Sequence, residues 1–391
     1  MIDGSGVLAR VHGIPAALVG RPDVWLVGGA VRDVLLGREA RELDFVVEGD
    51  AIALARELGG VLAAHERFGT ATVAAPGAPG GRADLAGARR ERYPQPGALP
   101  EVELGATVEE DLGRRDFSVN AIAVRLSDGA LAAWPGAEED LRAGRLRVLH
   151  ERSFEDDPTR LLRLARYAAR LGFAPDPQTE GLAGAASVAT VSPARLGEEL
   201  RLLLDEPQPA GLEQLEAVGH GTEVVHRGLR VDAPLVREVL ELCPSPPAAL
   251  AACLAGVAAA EIRQRLDALG FPAGERETIA TAVARADDLG ARLRAVAGGP
   301  PSAIWAACRR ERPETVAVAG AAAGPAAREA ARRWLTELRG VRPAIDGHDL
   351  MAAGLRGEAV GAALDRALAA ALDGRATTRG EQLAAALGEG S

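Results

Sequence analysis

Glu42 and Asp44, two carboxylates two residues apart, stand at the mouth of an apolar run, Leu43 to Val47. If that run is a strand, side chains at i and i+2 share a face. The two acids then sit side by side and repel unless a cation lies between them. A pair of Mg²⁺ ions bridging triphosphate oxygens would supply the charge, although a solvated acidic edge is the commoner use of such a pair. Asp84, in Arg82-Ala83-Asp84-Leu85, is a candidate third carboxylate, provided a neighbouring strand brings it alongside.

Three further groups fit the same chemistry. Leu26-Val27-Gly28-Gly29-Ala30-Val31-Arg32-Asp33 leads an apolar run through paired glycines into a helix start. There the backbone N–H groups that such a turn exposes and the fork of Arg32 suit a triphosphate, and a plain turn is the alternative. In Arg114-Arg115-Asp116-Phe117-Ser118-Val119-Asn120-Ala121, Arg115 suits a phosphate, and Asp116 and Asn120 suit ribose hydroxyls. The alternative there is a helix start with Asp116 as N-cap. Asp156-Asp157-Pro158-Thr159-Arg160 opens a segment with arginines at 160, 163, 166 and 170, close to one helical stripe. Such cations repel one another unless anions offset them, or unless the stripe is simply a solvated basic face.

The elements that must hold these groups are legible from periodicity. Val24–Val27, Leu43–Val47, Thr70–Ala74 and Ile122–Arg125 read as strands, with a short amphipathic helix at Val31–Leu36. Glycine and proline crowd residues 76–81 and 94–100, which read as loops. From Pro158 on, Leu161, Leu162, Ala165, Ala168, Ala169 and Leu171 fall at helical spacing, and the remainder reads as all-helical. Breaks are expected near 206–209, 244–247, 298–301 and 341–343. No repeat of fixed period emerges.

Composition narrows the function. A net charge of −10 argues against indiscriminate coating of nucleic acid, so local charge must serve any RNA contact. The chain has no lysine, and all 45 cations are arginines, suited to bidentate contacts. The three cysteines lie far apart, without CxxC or Cys/His pairing, which supports neither a zinc module nor a disulfide framework. With no charged leader and no long apolar stretch, a cytoplasmic protein with no membrane span is expected. His220 and His226 lack nearby metal-ligand partners and are expected to be structural or exposed.

The succession of glycine turn, paired carboxylates, Arg114–Ala121 and Asp156–Arg160 with Arg163 and Arg166 resembles the class II CCA tRNA nucleotidyltransferases and their poly(A) polymerase relatives. The resemblance runs from residue 24 to about 204, through Ser192-Pro193-Ala194-Arg195 and Glu199-Leu200. It resumes at Asp346–Met351 and Leu372–Arg375. It implies an α+β protein with a polymerase-β-like nucleotidyltransferase head, a mixed sheet with helices, over residues 1–150. A helical neck carrying the base-selecting motif (151–206), a helical body (207–300) and a tRNA-binding body and tail (301–391) would follow.

The implied activity is addition of CCA, or part of it, to the tRNA 3′ end from CTP and ATP, by two-metal transfer and without a nucleic-acid template. Gly29 and Arg32 would contact the triphosphate, Glu42 and Asp44 would bind Mg²⁺, and Arg115 and Asp116 would hold phosphate and ribose. Asp157 and Arg160 would read the base edge, with Arg163 and Arg166 behind them. The segment Ala88–Val102 is similar in length to the family's flexible loop.

Three positions depart from the family pattern: Glu42 and Ala133 stand where Asp is usual, and Asp156 where Glu is usual. An A-adding or CC-adding partial enzyme, a poly(A) polymerase and a catalytically silent RNA-binding derivative are the alternatives.

Overall fold

The four residues of Val24–Val27 (β1) are all buried, as are the last three of Asp44–Val47 (β2), so both read as apolar runs rather than alternating ones. They are interior strands of a seven-stranded sheet. The structure is a computed structural model that describes residues 3–388. It divides into two compact units, one formed by the chain up to Leu203 with Ala217–His220, the other by Leu204–Glu216 and the chain from Gly221 onward.

In the first unit the other strands are Val61–His65 (β3), Thr70–Ala74 (β4), Arg82–Gly87 (β5), Arg89–Arg92 (β6), Glu101–Leu104 (β7), Ile122–Arg125 (β8) and Leu131–Ala133 (β9), with a two-residue parallel pair, Arg145–Leu146 (β10) and Ala174–Pro175 (β11), whose second member interrupts the stretch after Pro158 expected to be all-helical. The large sheet runs β3-β4-β5-β2-β1-β8-β9, while β6 and β7 form a separate hairpin. The β2–β5 pair is parallel and the other pairs of the sheet are antiparallel, so it is mixed. The expected strands at 24–27, 70–74 and 122–125 have the bounds anticipated, and that at 43–47 begins one residue later.

The hairpin differs from a loop over Ala88–Val102. Arg89–Arg92 faces Glu101–Leu104 in antiparallel register, and Arg90 reaches Glu103 across the pair at 3.2 Å. Opposite charges placed across strands stabilise such a ribbon, and only residues 93–100 remain as its turn.

The helix Arg160–Leu171 follows Thr159 and ends at Gly172, whose φ of 72° is the left-handed conformation that stops a helix. Leu161, Leu162, Leu164, Ala165, Ala168 and Leu171 are buried along it.

The second unit is helical among the described residues. One apolar cluster gathers Leu289, Leu293, Ile304, Val316 and Trp334. A smaller separate cluster gathers Ile345, Leu350, Ala363, Ala367 and Ala386 near the C-terminal end. No helix among the described residues is long and apolar enough to cross a membrane.

Candidate active site

The glycine turn sits where β1 meets the helix Gly29–Leu35. Gly28 has φ 66° and ψ −125°, and a Cβ there would come within 2.8 Å of Arg115 Nη1. Only glycine gives both that backbone and that approach. Arg32, 1% exposed, donates from Nε and Nη2 to Asp33 Oδ1 and from Nη1 to Asn120 Oδ1 at 2.6 Å. Asn120 in turn donates to Asp116 Oδ1 at 2.9 Å. The turn is thereby tied to the Arg115–Asn120 segment.

Glu42 precedes β2 and is exposed, while Asp44 opens it and is half-buried. Burial pushes the Asp44 carboxyl up to about 7, with Glu42 and Asp84 adding repulsion and Arg115 opposing it. Strand register explains the approach of Asp84, because Asp44 and Asp84 are direct partners in the parallel β2–β5 pair. Such a set of acids is uncompensated as it stands, which is the chemistry a divalent cation relieves. Among the described residues no group of three or more His, Cys, Asp or Glu side chains converges to hold a metal.

Asp116 is not a helix cap. Its Oδ1 accepts from Phe117 N and Asn120 Nδ2, and its Oδ2 accepts from Arg163 Nε and Nη2 at 2.9 and 2.6 Å. Burial disfavours its charge, but Arg163, Asn120 and Arg160 outweigh burial and hold it well below the usual carboxylate range. The arginine stripe is not a solvated face either. Arg160 and Arg166 are buried, Glu199 pairs with Arg163 at 3.2 Å and with Arg166 at 3.3 Å, and the Tyr167 ring has Arg32, Arg163, Arg166 and Arg170 within 5.8 Å. Carboxylates and a π face thus offset repulsion along the stripe.

Asp157 Oδ1 accepts from Thr159 Oγ1 at 2.7 Å and Arg195 Nη2 at 2.9 Å. Arg160 donates from Nη1 to Ser153 Oγ and from Nη2 to the Arg114 carbonyl. Asp157 is extended and lies ahead of the helix rather than in its first turn.

One cavity of about 450 Å³ in the first unit is lined by Gly28, Gly29, Arg32, Glu42, Asp44, Arg115, Asp116, Asn120, Asp157, Arg160, Arg163 and Arg166. Two candidates lie outside it. Asp156, grouped in the sequence with the nucleotide contacts, faces an adjoining cavity with Trp134 that shares Glu91, Tyr93, Arg114 and Arg160 with the first, and pairs with Arg152 at 3.4 Å. Asp84 lines an adjoining cavity of about 360 Å³ that shares Asp44 and Arg115 with the first. Among the described residues, Arg115 Nε and Arg166 Nε are buried without a hydrogen-bond partner. Buried donors of that kind call for a ligand oxygen or a water.

Sequence reasoning missed four contributors: Tyr167, Glu199 as the anion between arginines, and Asp111 and Glu91, which hold Arg114. One signal was available, since the chain's two tyrosines, Tyr93 and Tyr167, both line the cavity of about 450 Å³. His220 is buried against the Ala183 carbonyl, and His226 pairs with Glu261, so both are structural.

Residues 24–147 match the poly A polymerase head domain. That head therefore contains the glycine turn, the carboxylates and the Arg115–Asn120 segment, and the arginine stripe follows it. Among curated relatives, the A-adding tRNA nucleotidyltransferase of Halalkalibacterium halodurans is 43% identical over 202 residues, 48% of this chain and 47% of the relative. The CC-adding tRNA nucleotidyltransferase of Deinococcus radiodurans is 46% identical over 207 residues, 50% of this chain and 54% of the relative. The chain thus spans about half the length of the curated relatives it matches. Beyond the head, a solved CCA-adding enzyme in complex with CTP is 26% identical with a TM-score of 0.78, covering 99% of this chain and 98% of that one. The α+β fold of a mixed-sheet head followed by helices is common to both.

Proposed function

We propose that the chain is a tRNA nucleotidyltransferase that adds CCA to the tRNA 3′ end from CTP and ATP without a nucleic-acid template. The observation that carries this is the single cavity in which the glycine turn, Glu42 and Asp44, Asp116 and the buried arginine stripe meet, with buried arginine N–H groups still unpartnered. The 3′ hydroxyl oxygen attacks the α-phosphorus and gives up its proton to solvent, an O–P bond forms, the bond from the α-phosphorus to the oxygen bridging to the β-phosphate breaks, and pyrophosphate leaves. Glu42 and Asp44 would hold Mg²⁺, whose chemistry when bound is to neutralise developing charge on phosphate oxygens.

The Gly28–Gly29 turn, Arg32 and Arg115 cradle the triphosphate, and Asp116 and Asn120, braced by Arg163, face the ribose. Asp157 and Arg160 read the base edge, an acceptor and a donor set together. Residues 151–206 form the neck, 207–300 the body, and 301–391 the part that engages tRNA.

The reading is tested with tRNA transcripts ending before CCA, after C and after CC, given CTP and ATP separately and together. Extension of all three to full CCA is expected, and no incorporation on any of them overturns the reading. A second reading, addition of only part of CCA, is supported by the A-adding and CC-adding names of two relatives. Extension confined to the transcript ending after CC, with ATP, would establish A addition, and extension that stops at CC would establish CC addition.

A further inference from the structure

Three strands present Thr72, Asp84 and Asp44 in a row. Thr72 on β4 is the direct antiparallel partner of Asp84 on β5, and Asp84 is the direct parallel partner of Asp44 on β2. Residues paired in register point to one face of a sheet. On that face Thr70, Thr72, Asp84 and Ala86 are only half-buried, whereas the alternating Ala71, Val73, Ala83 and Leu85 on the opposite face are buried. Small side chains at Thr70 and Ala86 leave the floor low, and a cavity of about 360 Å³ opens over it. Asp44 and Arg115 form the boundary, lining both this cavity and the larger one. The Thr72 hydroxyl donates to Asp84 Oδ1 at 2.5 Å, and among the described residues no other hydrogen bond or ion pair fixes the Asp84 carboxylate.

We infer that Thr72 is a positioning residue: its hydroxyl turns Asp84 so that the second carboxylate oxygen faces the acceptor's terminal ribose in the smaller cavity and accepts a hydrogen bond from its 3′ hydroxyl. The inference rests on the nucleotidyl-transfer reading, which puts the incoming nucleotide in the larger cavity and requires a hydroxyl to reach it past Asp44. A carboxylate on a strand rotates about two side-chain bonds, and a like-charged neighbour pushes it away. A single hydroxyl bond across the sheet removes that freedom. Thr72 touches neither nucleotide nor acceptor, so its loss affects the transfer step through the geometry of Asp84.

Single-turnover addition is measured on a tRNA lacking CCA for the unaltered chain and for Thr72→Val, Thr72→Ser and Asp84→Ala, alongside equilibrium tRNA and CTP binding. Thr72→Val keeps the branched shape and removes only the hydroxyl. It is expected to lower the transfer rate roughly ten- to hundredfold, with tRNA and CTP affinities within a few fold. Thr72→Ser restores the rate, and adding Thr72→Val to Asp84→Ala costs nothing more. An unimpaired Thr72→Val, a Thr72→Ser as slow as Thr72→Val, or losses that multiply in the double variant would each overturn the inference while leaving the activity standing. No incorporation by the unaltered chain would instead overturn the activity, and the inference with it.

Discussion

Glu42 and Asp44 differ in surroundings as much as in length. Asp44 is half-buried beside two other acids and pushed up to about 7, whereas Glu42 is exposed at the strand mouth. If the pair holds the metals, Glu42→Ala and Asp44→Ala should each abolish incorporation and leave tRNA affinity within a few fold, because charge neutralisation at the phosphates is lost while the RNA contacts are not. Equal loss of tRNA binding, read by filter retention, would contradict the assignment. On the same condition Glu42→Asp should keep or raise activity, since it supplies the shorter ligand usual in the nucleotidyltransferases the sequence resembles. A collapse to the level of Glu42→Ala would show that the strand is adjusted to Glu. Arg160 poses a sharper question, being 4% exposed with two nitrogens already donated to Ser153 and the Arg114 carbonyl. If its remaining edge reads the base, Arg160→Ala should relax the preference among CTP, ATP, UTP and GTP by roughly ten- to hundredfold in relative kcat/KM, the worth of about 1–3 kcal/mol of discrimination. Competition with all four nucleotides measures this, and uniform slowing with the preference intact would reduce Arg160 to a packing contact.

The helix Arg160–Leu171 is fastened to the head by one ion pair more than any other, Arg163 to Asp116 at 2.6 Å. Arg163→Met strands a buried carboxylate, a loss of about 3–5 kcal/mol for a fully buried pair, with the lower end expected because the Arg163 side chain keeps 30% of its surface exposed. Asp116 is held below its ordinary value in the intact chain, so its share of stability is full above about pH 4 and is lost only as pH falls through the depressed value. In the variant, burial raises Asp116, so the gap in urea-unfolding stability should be widest near pH 7 and narrow toward pH 4 as that carboxyl takes a proton. A gap that stays constant with pH would assign the loss to packing instead. The same element shows what the sequence made legible. Its apolar spacing and the strands at 24–27, 70–74 and 122–125 could be read directly, because burial on one or both faces leaves a period in the apolar residues. β3 and β9 left no such trace. Val61–His65 is exposed along its whole length, and Leu131–Ala133 is too short to show a period. The charged ribbon of β6 and β7 depends on cross-strand pairs that no local pattern announces. The candidate residues were legible by type and order, but their partners were not. Glu199 is 36 residues from Arg163, and only the packing of two helices reveals that it is the anion between arginines.

At the scale of the whole chain, every residue lining the large cavity lies between Gly28 and Leu202, inside the first unit. Nucleotide binding should therefore be separable from RNA binding, and the C-terminal cluster is the place to cut. Ile345, Leu350, Ala363, Ala367 and Ala386 form their own small core, joined to the neighbouring helix Pro301–Cys308 by polar contacts, with Asp373 accepting from Ser302 N at 2.9 Å and Oγ at 2.7 Å. A chain ended at Gly340 removes that core whole and leaves the cluster around Leu289, Ile304 and Trp334 in place, apart from the flanking contact of Leu372. With a net charge of −10 the chain has no general attraction for RNA to fall back on. If residues 301–391 engage tRNA, the shortened chain should bind CTP and ATP within a few fold of the full chain. Its tRNA affinity should fall about tenfold or more, a loss of roughly 1.4 kcal/mol. Calorimetric titration of both ligands, after circular dichroism confirms retained helix, gives the result. Unchanged tRNA affinity would move the RNA contacts upstream of residue 341, and loss of nucleotide binding alongside tRNA would mean that the cavity depends on the tail for its shape.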